Sequence, residues 1–164
     1  MAFDPNNFLY SLARHVVTRS AAMSPAVVIK LDELPRELWI HRAIDNESAD
    51  LYSVLRIYGG GRMVRDSIAR PSVQCLTIGG NAAVAMARGQ LMFEMLCLDD
   101  LGQPLRMQEI DAYKLAPSGM ETDGQYVLVA VDPLQRPGLM SSDDNGRTSV
   151  VFNFDVGFRR PSVG

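Results

Sequence analysis

Metal-binding and redox side chains are scarce in this chain. Of 164 residues only Cys75 and Cys97 are cysteines and only His15 and His41 histidines, with neither CxxC nor HxxxH spacing, so no zinc site is expected. An excess of positive charge is also lacking. Sixteen basic against nineteen acidic residues give a net charge of -3, which argues against a protein whose main work is gripping nucleic-acid phosphates. No apolar run has the length needed to cross a bilayer, so no membrane partner is expected. The opening MAFDPNNFLY places Asp and Asn where a leader would carry a basic cap and an apolar run, and this predicts synthesis in a cytoplasm with both thiols reduced.

The usual catalytic signatures are absent too. The triple glycine at 59–61 belongs to neither GxxxxGK[ST] nor GxGxxG, and no GxSxG occurs. In SSDDNGRTSVVF an EF-hand would take ligands from Ser141, Asp143 and Asn145 and its turn glycine from Gly146, but the twelfth position is Phe152 instead of the closing Glu. A polar turn explains the segment. At IGGN, residues 78–81, a strand runs through two glycines into a helix start that could hold an anion, although a tight turn also explains the glycines. No catalytic, cofactor or metal site is expected.

What the chain does have is apolar patterning. At 47% hydrophobic and 21% charged it can bury a proper core, and its length fits one domain spanning 1–164. Nine methionines suit adaptable core filling. Phe8, Leu9, Leu12, Ala13, Val16 and Val17 form the stripe of an amphipathic helix over 5–18 that should lie on a sheet, with 18–26 as a linker. A short strand is predicted near 38–43, and alternating strands at 52–58 and 72–78. Asn81 caps a second helix over 81–98, stopped by DDLGQP. Strands follow at 105–114 and 126–132, the second apolar on both faces and so central. Val150, Phe152, Phe154, Val156 and Phe158 then recur at period two, predicting a final strand with one buried face and the other open to water or another chain. Strands in consecutive runs around two main helices indicate an α+β fold with an antiparallel or mixed sheet.

One stretch invites a functional reading. GGGRMVRDSIARP, 59–71, reads as a thirteen-residue loop between strands, and loops of that length in compact domains are often functional or else mobile and solvated. It carries Arg62, Met63, Arg65 and Arg70 against the single acid Asp66, a composition suited to carboxylate or phosphate partners and to protein interfaces.

Taken in order, YSVLRIYGGGR at 52–62, Arg70-Pro71 before SVQCLTIGG, the Ala-rich helix and DDNGRTSVVFNFDVGFR resemble the tail terminator, or tail completion, proteins of long-tailed bacteriophages, also filed as minor capsid or head-tail joining proteins. With the opening helix the resemblance spans most of the chain. Its matching positions are Gly59, Gly60, Arg70, Pro71, Val73 and Gln74, then Asp144, Gly146, Arg147, Asn153 and Phe154. The DELPREL segment, the 59–71 loop and an extended turn at 116–125 depart from the family pattern. The resemblance implies a structural virion protein, not an enzyme, assembled in the host bacterial cytoplasm. It would close into a ring, usually a homohexamer, at the end of the tail tube. There it would stop polymerisation and join the head-tail connector or stopper proteins, with DNA passing through without specific recognition. Arg62, Met63, Arg65, Arg70, Arg147 and Asn153 are the candidate interface residues. The alternatives are another neck protein, a stopper or adaptor, or a small anion- or phosphate-binding module using the IGGN turn.

Overall fold

The structure, a computed structural model, describes residues 4–23, 38–40, 51–57, 62–64, 68–142 and 146–160. Two helices and nine strands occur among them, in the order α1 (Pro5–Met23), β1 (Leu38–Ile40), β2 (Tyr52–Ile57), β3 (Arg62–Val64), β4 (Ile68–Arg70), β5 (Ser72–Gly79), α2 (Ala82–Cys97), β6 (Arg106–Ala116), β7 (Gly119–Pro133), β8 (Gly138–Ser142) and β9 (Thr148–Arg159). The expected α+β class is observed, with every strand pairing antiparallel except β1 with β2.

β9 is the axis of the sheet. The alternation predicted for it is present, since Val150, Phe152, Phe154, Val156 and Phe158 are all buried. One of its edges pairs with β5 and β4, and the other with β8 and then β7. Ala69 lies opposite Phe158, and the pairs from Ser72 with Asp155 to Gly79 with Thr148 keep the same register. β4 and β5 are therefore one line along β9, broken only at Pro71, which has no N–H to give to the ladder. Its carbonyl still accepts from the Val156 N–H at 3.1 Å.

This corrects the reading of 59–71 as a loop where the segment is described: residues 62–64 and 68–70 are strand, β3 pairing with β4 as β2 pairs with β5, while 59–61 and 65–67 lie outside the described residues. The supposed turn at 116–125 is the outer part of the β6–β7 hairpin, whose strands are separated only by residues 117 and 118. Between Thr122 and Gln125 the ladder shifts by one residue, and Gly124 takes φ +74° there, as a glycine at a β-bulge does. β7 lies between β6 and β9, in keeping with its two apolar faces. The short β8 was not foreseen.

α1 also runs further than predicted, to Met23, so residues 18–23 are helix and not linker. Asp4 caps it, its Oδ1 accepting from Asn6 N–H at 2.9 Å, and Pro5 at the first position loses no helical bond. The apolar stripe packs on the sheet as expected. Phe8 stacks on Phe158 with ring centroids 4.0 Å apart, and on α2 Phe93 meets Phe152 edge-on at 5.4 Å. Full burial of each such ring contributes roughly 2 to 3 kcal/mol. Ser11 pins α1 to β6: its Oγ donates to Asn7 O at 2.7 Å and accepts from the Tyr113 N–H at 3.0 Å. Tyr113 borders the register shift in β6, where the strand ladder leaves an N–H for a side chain to satisfy.

The second face of the sheet is not open along its whole length, contrary to the expectation for β9. Tyr52, Val54, Leu76 and Ile78 form a separate buried cluster there, with Val151 against it. At the end of β9 this face is exposed at Arg159.

Candidate interaction surface

Three places could hold a ligand or partner, and local geometry separates them. At the IGGN turn Gly79 has an internal reason, whereas a Cβ on Gly80 would meet nothing within 4 Å. A Cβ on Gly79 would lie 2.8 Å from the backbone nitrogen of Ala85, so the close crossing of strand end and helix start demands glycine. Asn81 takes an extended conformation as N-cap, and its Oδ1 accepts from the Val84 N–H at 2.9 Å. The expected cap is thus present, and it serves the helix itself.

The second place is a cleft of about 330 Å³ bordered by Arg19, Glu94, Met95, Leu98, Asp99, Asp100 and Gly102. Its chemistry is that of a helix end. A terminal turn leaves carbonyls without intrahelical partners, and Arg19 from α1 reaches them. Its Nη1 donates to the carbonyls of Glu94, Met95 and Leu98 at 3.2, 2.9 and 2.6 Å, and its Nη2 to Asp100 Oδ1 at 3.1 Å. Asp99 closes the following turn by accepting from the N–H groups of Leu101 and Gln103 at 2.8 and 2.9 Å. The two aspartates hold a turn and a cap. Among the described residues no cluster of three metal-binding side chains occurs.

The third place is the end of the sheet where β9 finishes. There the strand order is β3, β4, β9, β7, β6. Arg62 lies directly opposite Arg70, and Met63 opposite Ala69. Arg70 and Arg159 are exposed and have no ion-pair partner among the described residues. The continuing register puts Arg70 beside Gly157, on the face that Arg159 shares two residues further along β9.

Of the residues singled out from sequence, the fold therefore brings together Arg62, Met63 and Arg70. Arg65 lies outside the described residues. Arg147 is buried just ahead of β9, ten positions before Gly157, or roughly 33 Å at strand spacing. Its neighbours 143–145 lie outside the described residues. Gly146, with φ +77°, makes the turn expected before the last strand. Asn153 is half-buried in mid-strand, opposite Gln74, and its Oδ1 has no hydrogen-bond partner. Gln74 in turn accepts from Arg56 Nε at 2.6 Å. Arg159 was missed. Its signal was its place in the alternate set of the final strand, which the apolar set overshadowed.

His41 lies outside the described residues, but His15 is half-buried, and burial, with the nearby Arg19 charge, lowers its pKa to about 4 against a smaller opposing effect of Asp111. Burial also pushes the Cys75 thiol up to about 12 and raises that of Cys97. No helix among the described residues is long and apolar enough to cross a membrane. No family model matches the chain, and comparison with curated proteins finds no significant similarity.

Proposed function

We propose that this chain is a structural assembly subunit that closes the tail tube of a long-tailed bacteriophage as a ring and presents a new face to the head connector. The observation that carries the reading is that β3 and β4, from the arginine segment, pair with each other and extend one flank of the sheet beside β9. A ring needs two different surfaces on each subunit, and the β3–β4 flank with its exposed Arg70 provides one of them. The ordered sequence resemblance supports the same reading, and it supplies the hexamer, the tube and the connector as expected partners. DNA would pass through such a ring without being gripped, in keeping with the net charge of -3.

The test is to add the purified chain to polymerising tail tube protein and measure tube lengths by negative-stain microscopy. Mean length should fall as the ratio of chain to tube protein rises. Unchanged lengths would overturn the terminator reading. Binding to a portal or connector assembly with no effect on tubes would place the chain elsewhere in the neck.

A further inference from the structure

The flank opposite the arginines offers two exposed carboxylates, Glu109 and Asp111, on the strand that also carries Arg106 and Lys114. On the far side of β9, Arg159 lies opposite Val127 of β7, and Val127 opposite Glu109 of β6. Glu109 is thus two strands from Arg159 in one row, on the same face and roughly 10 Å away at normal strand spacing. Asp111 follows two residues on, and both carboxylates are exposed. The outer part of the β6–β7 hairpin adds Glu121 and Asp123. These two are already neutralised: Lys114 lies 3.6 Å from Glu121 and 3.7 Å from Asp123, and Arg160 pairs with Asp123 at 2.8 Å. Glu109 and Asp111 have no ion-pair partner among the described residues. This end of the sheet thus carries exposed arginines on β4 and β9 and, on β6, an exposed pair of carboxylates set between Arg106 and Lys114.

We infer that these two flanks are the two halves of a single contact between copies of this chain, the Arg70 and Arg159 side of one copy seated against the Glu109 and Asp111 side of the next. The inference rests on the ring reading and names the surfaces by which the ring closes. Several features favour a second copy over another occupant. The two charge sets lie on one face and at one end of the sheet, so a copy set alongside at the same height meets the opposite sign. Among the described residues no ion pair joins either arginine to Glu109 or Asp111 within one chain, so both sets remain available to a neighbour. The contact joins unlike surfaces, the heterologous kind that generates rings when its rotation closes. Polymerising like charge against like is disfavoured by the same arrangement, which fixes the direction of assembly.

The test is sedimentation velocity on the full chain at low and high salt, with three variants: Arg70→Glu with Arg159→Glu, Glu109→Lys with Asp111→Lys, and all four changes together. All four side chains are exposed, and unchanged thermal unfolding would verify the fold of each variant. Wild-type self-association should weaken with added salt, as exposed charge pairs do. Each reversed pair should raise the dissociation constant at least about tenfold, and the fully reversed chain should recover much of the loss. Assemblies of unchanged affinity in all variants would overturn the pairing while leaving a ring built through other surfaces. If the arginine variant alters only the binding of added DNA, the flank faces nucleic acid and the pairing is wrong. A wild-type chain that stays monomeric alone but forms rings on tube ends would also overturn a self-sufficient contact; one monomeric in both settings would remove the ring reading as well.

Discussion

Arg19 on α1 donates a 2.6 Å hydrogen bond to the carbonyl of Leu98, the residue that ends α2. The two positions are 79 apart in sequence, and through this bond the first helix caps the second. A cation at a helix C-terminus is favoured by the macrodipole as well as by the bonds it donates. The Arg19 side chain is only 20% exposed, so its removal would leave those carbonyls in a sheltered place. Replacement of Arg19 by Leu should lower stability by about 1 to 3 kcal/mol in urea unfolding. Lys at this position should recover only part of that, because an ammonium lacks the planar fork that reaches several carbonyls together. Equal stability of all three chains would show that the cap contributes nothing.

Gly89 sits in the middle of α2, where Ala would ordinarily stabilise the helix by up to about 1 kcal/mol. A Cβ there, however, would lie 2.7 Å from Cγ1 of Val150. Gly89→Ala should therefore lower stability, by about 1 to 3 kcal/mol, and Val150→Ala in the same chain should recover part of the loss through a favourable coupling. Thermal or urea unfolding of the four chains measures it. A simple gain on Gly89→Ala would mean that the helix stands further from β9.

His15 has its folded pKa lowered to about 4, chiefly by burial. In the unfolded chain the group titrates near about 6.5. Between those values the unfolded state binds the proton and the folded state does not, so His15 lowers stability as pH falls from about 6.5 toward 4. Above that window its contribution is constant. In a His15→Gln variant the fall of stability across this range should be shallower by up to one proton, read from urea midpoints at a series of pH values. Parallel curves for the two proteins would contradict the buried neutral state.

Cys75 and Cys97 are both buried, and burial raises both thiol pKa values. The thiolate is the reactive form. A disulfide reagent at pH 8 should therefore leave both unmodified in the native protein and titrate both once urea unfolds it. Fast native modification would show that α2 opens from the sheet far more readily than its packing suggests.

Much of this was readable from sequence wherever a single face of a single element carried the signal. Five alternating apolar residues from Val150 to Phe158 announced β9, Asn81 announced its helix, and YVLVAVD announced an interior strand. What escaped depended on pairing between distant segments. Three glycines and a proline made 59–71 read as a loop, yet β9 is long enough to hold β4 and β5 in one register past Pro71. Pro117, Gly119 and Gly124 suggested an extended turn, while the structure spends only residues 117 and 118 on it and absorbs Gly124 as a bulge. β8 is short, lies just after Pro137, and leaves Leu139 and Met140 exposed, so no periodicity marked it. Of the candidate surface, sequence displayed the arginines of 59–71 but could not show that Arg159 joins them or that Glu109 faces the same way. Those relations exist only once the strand order is set.

The measurement that bears most directly on the central claim is the native mass of the purified chain, alone and with tail tube protein, with negative-stain images of both samples. The account predicts closed rings in solution that seat on tube ends. A chain that remains monomeric in both samples and leaves the tube ends bare would contradict it.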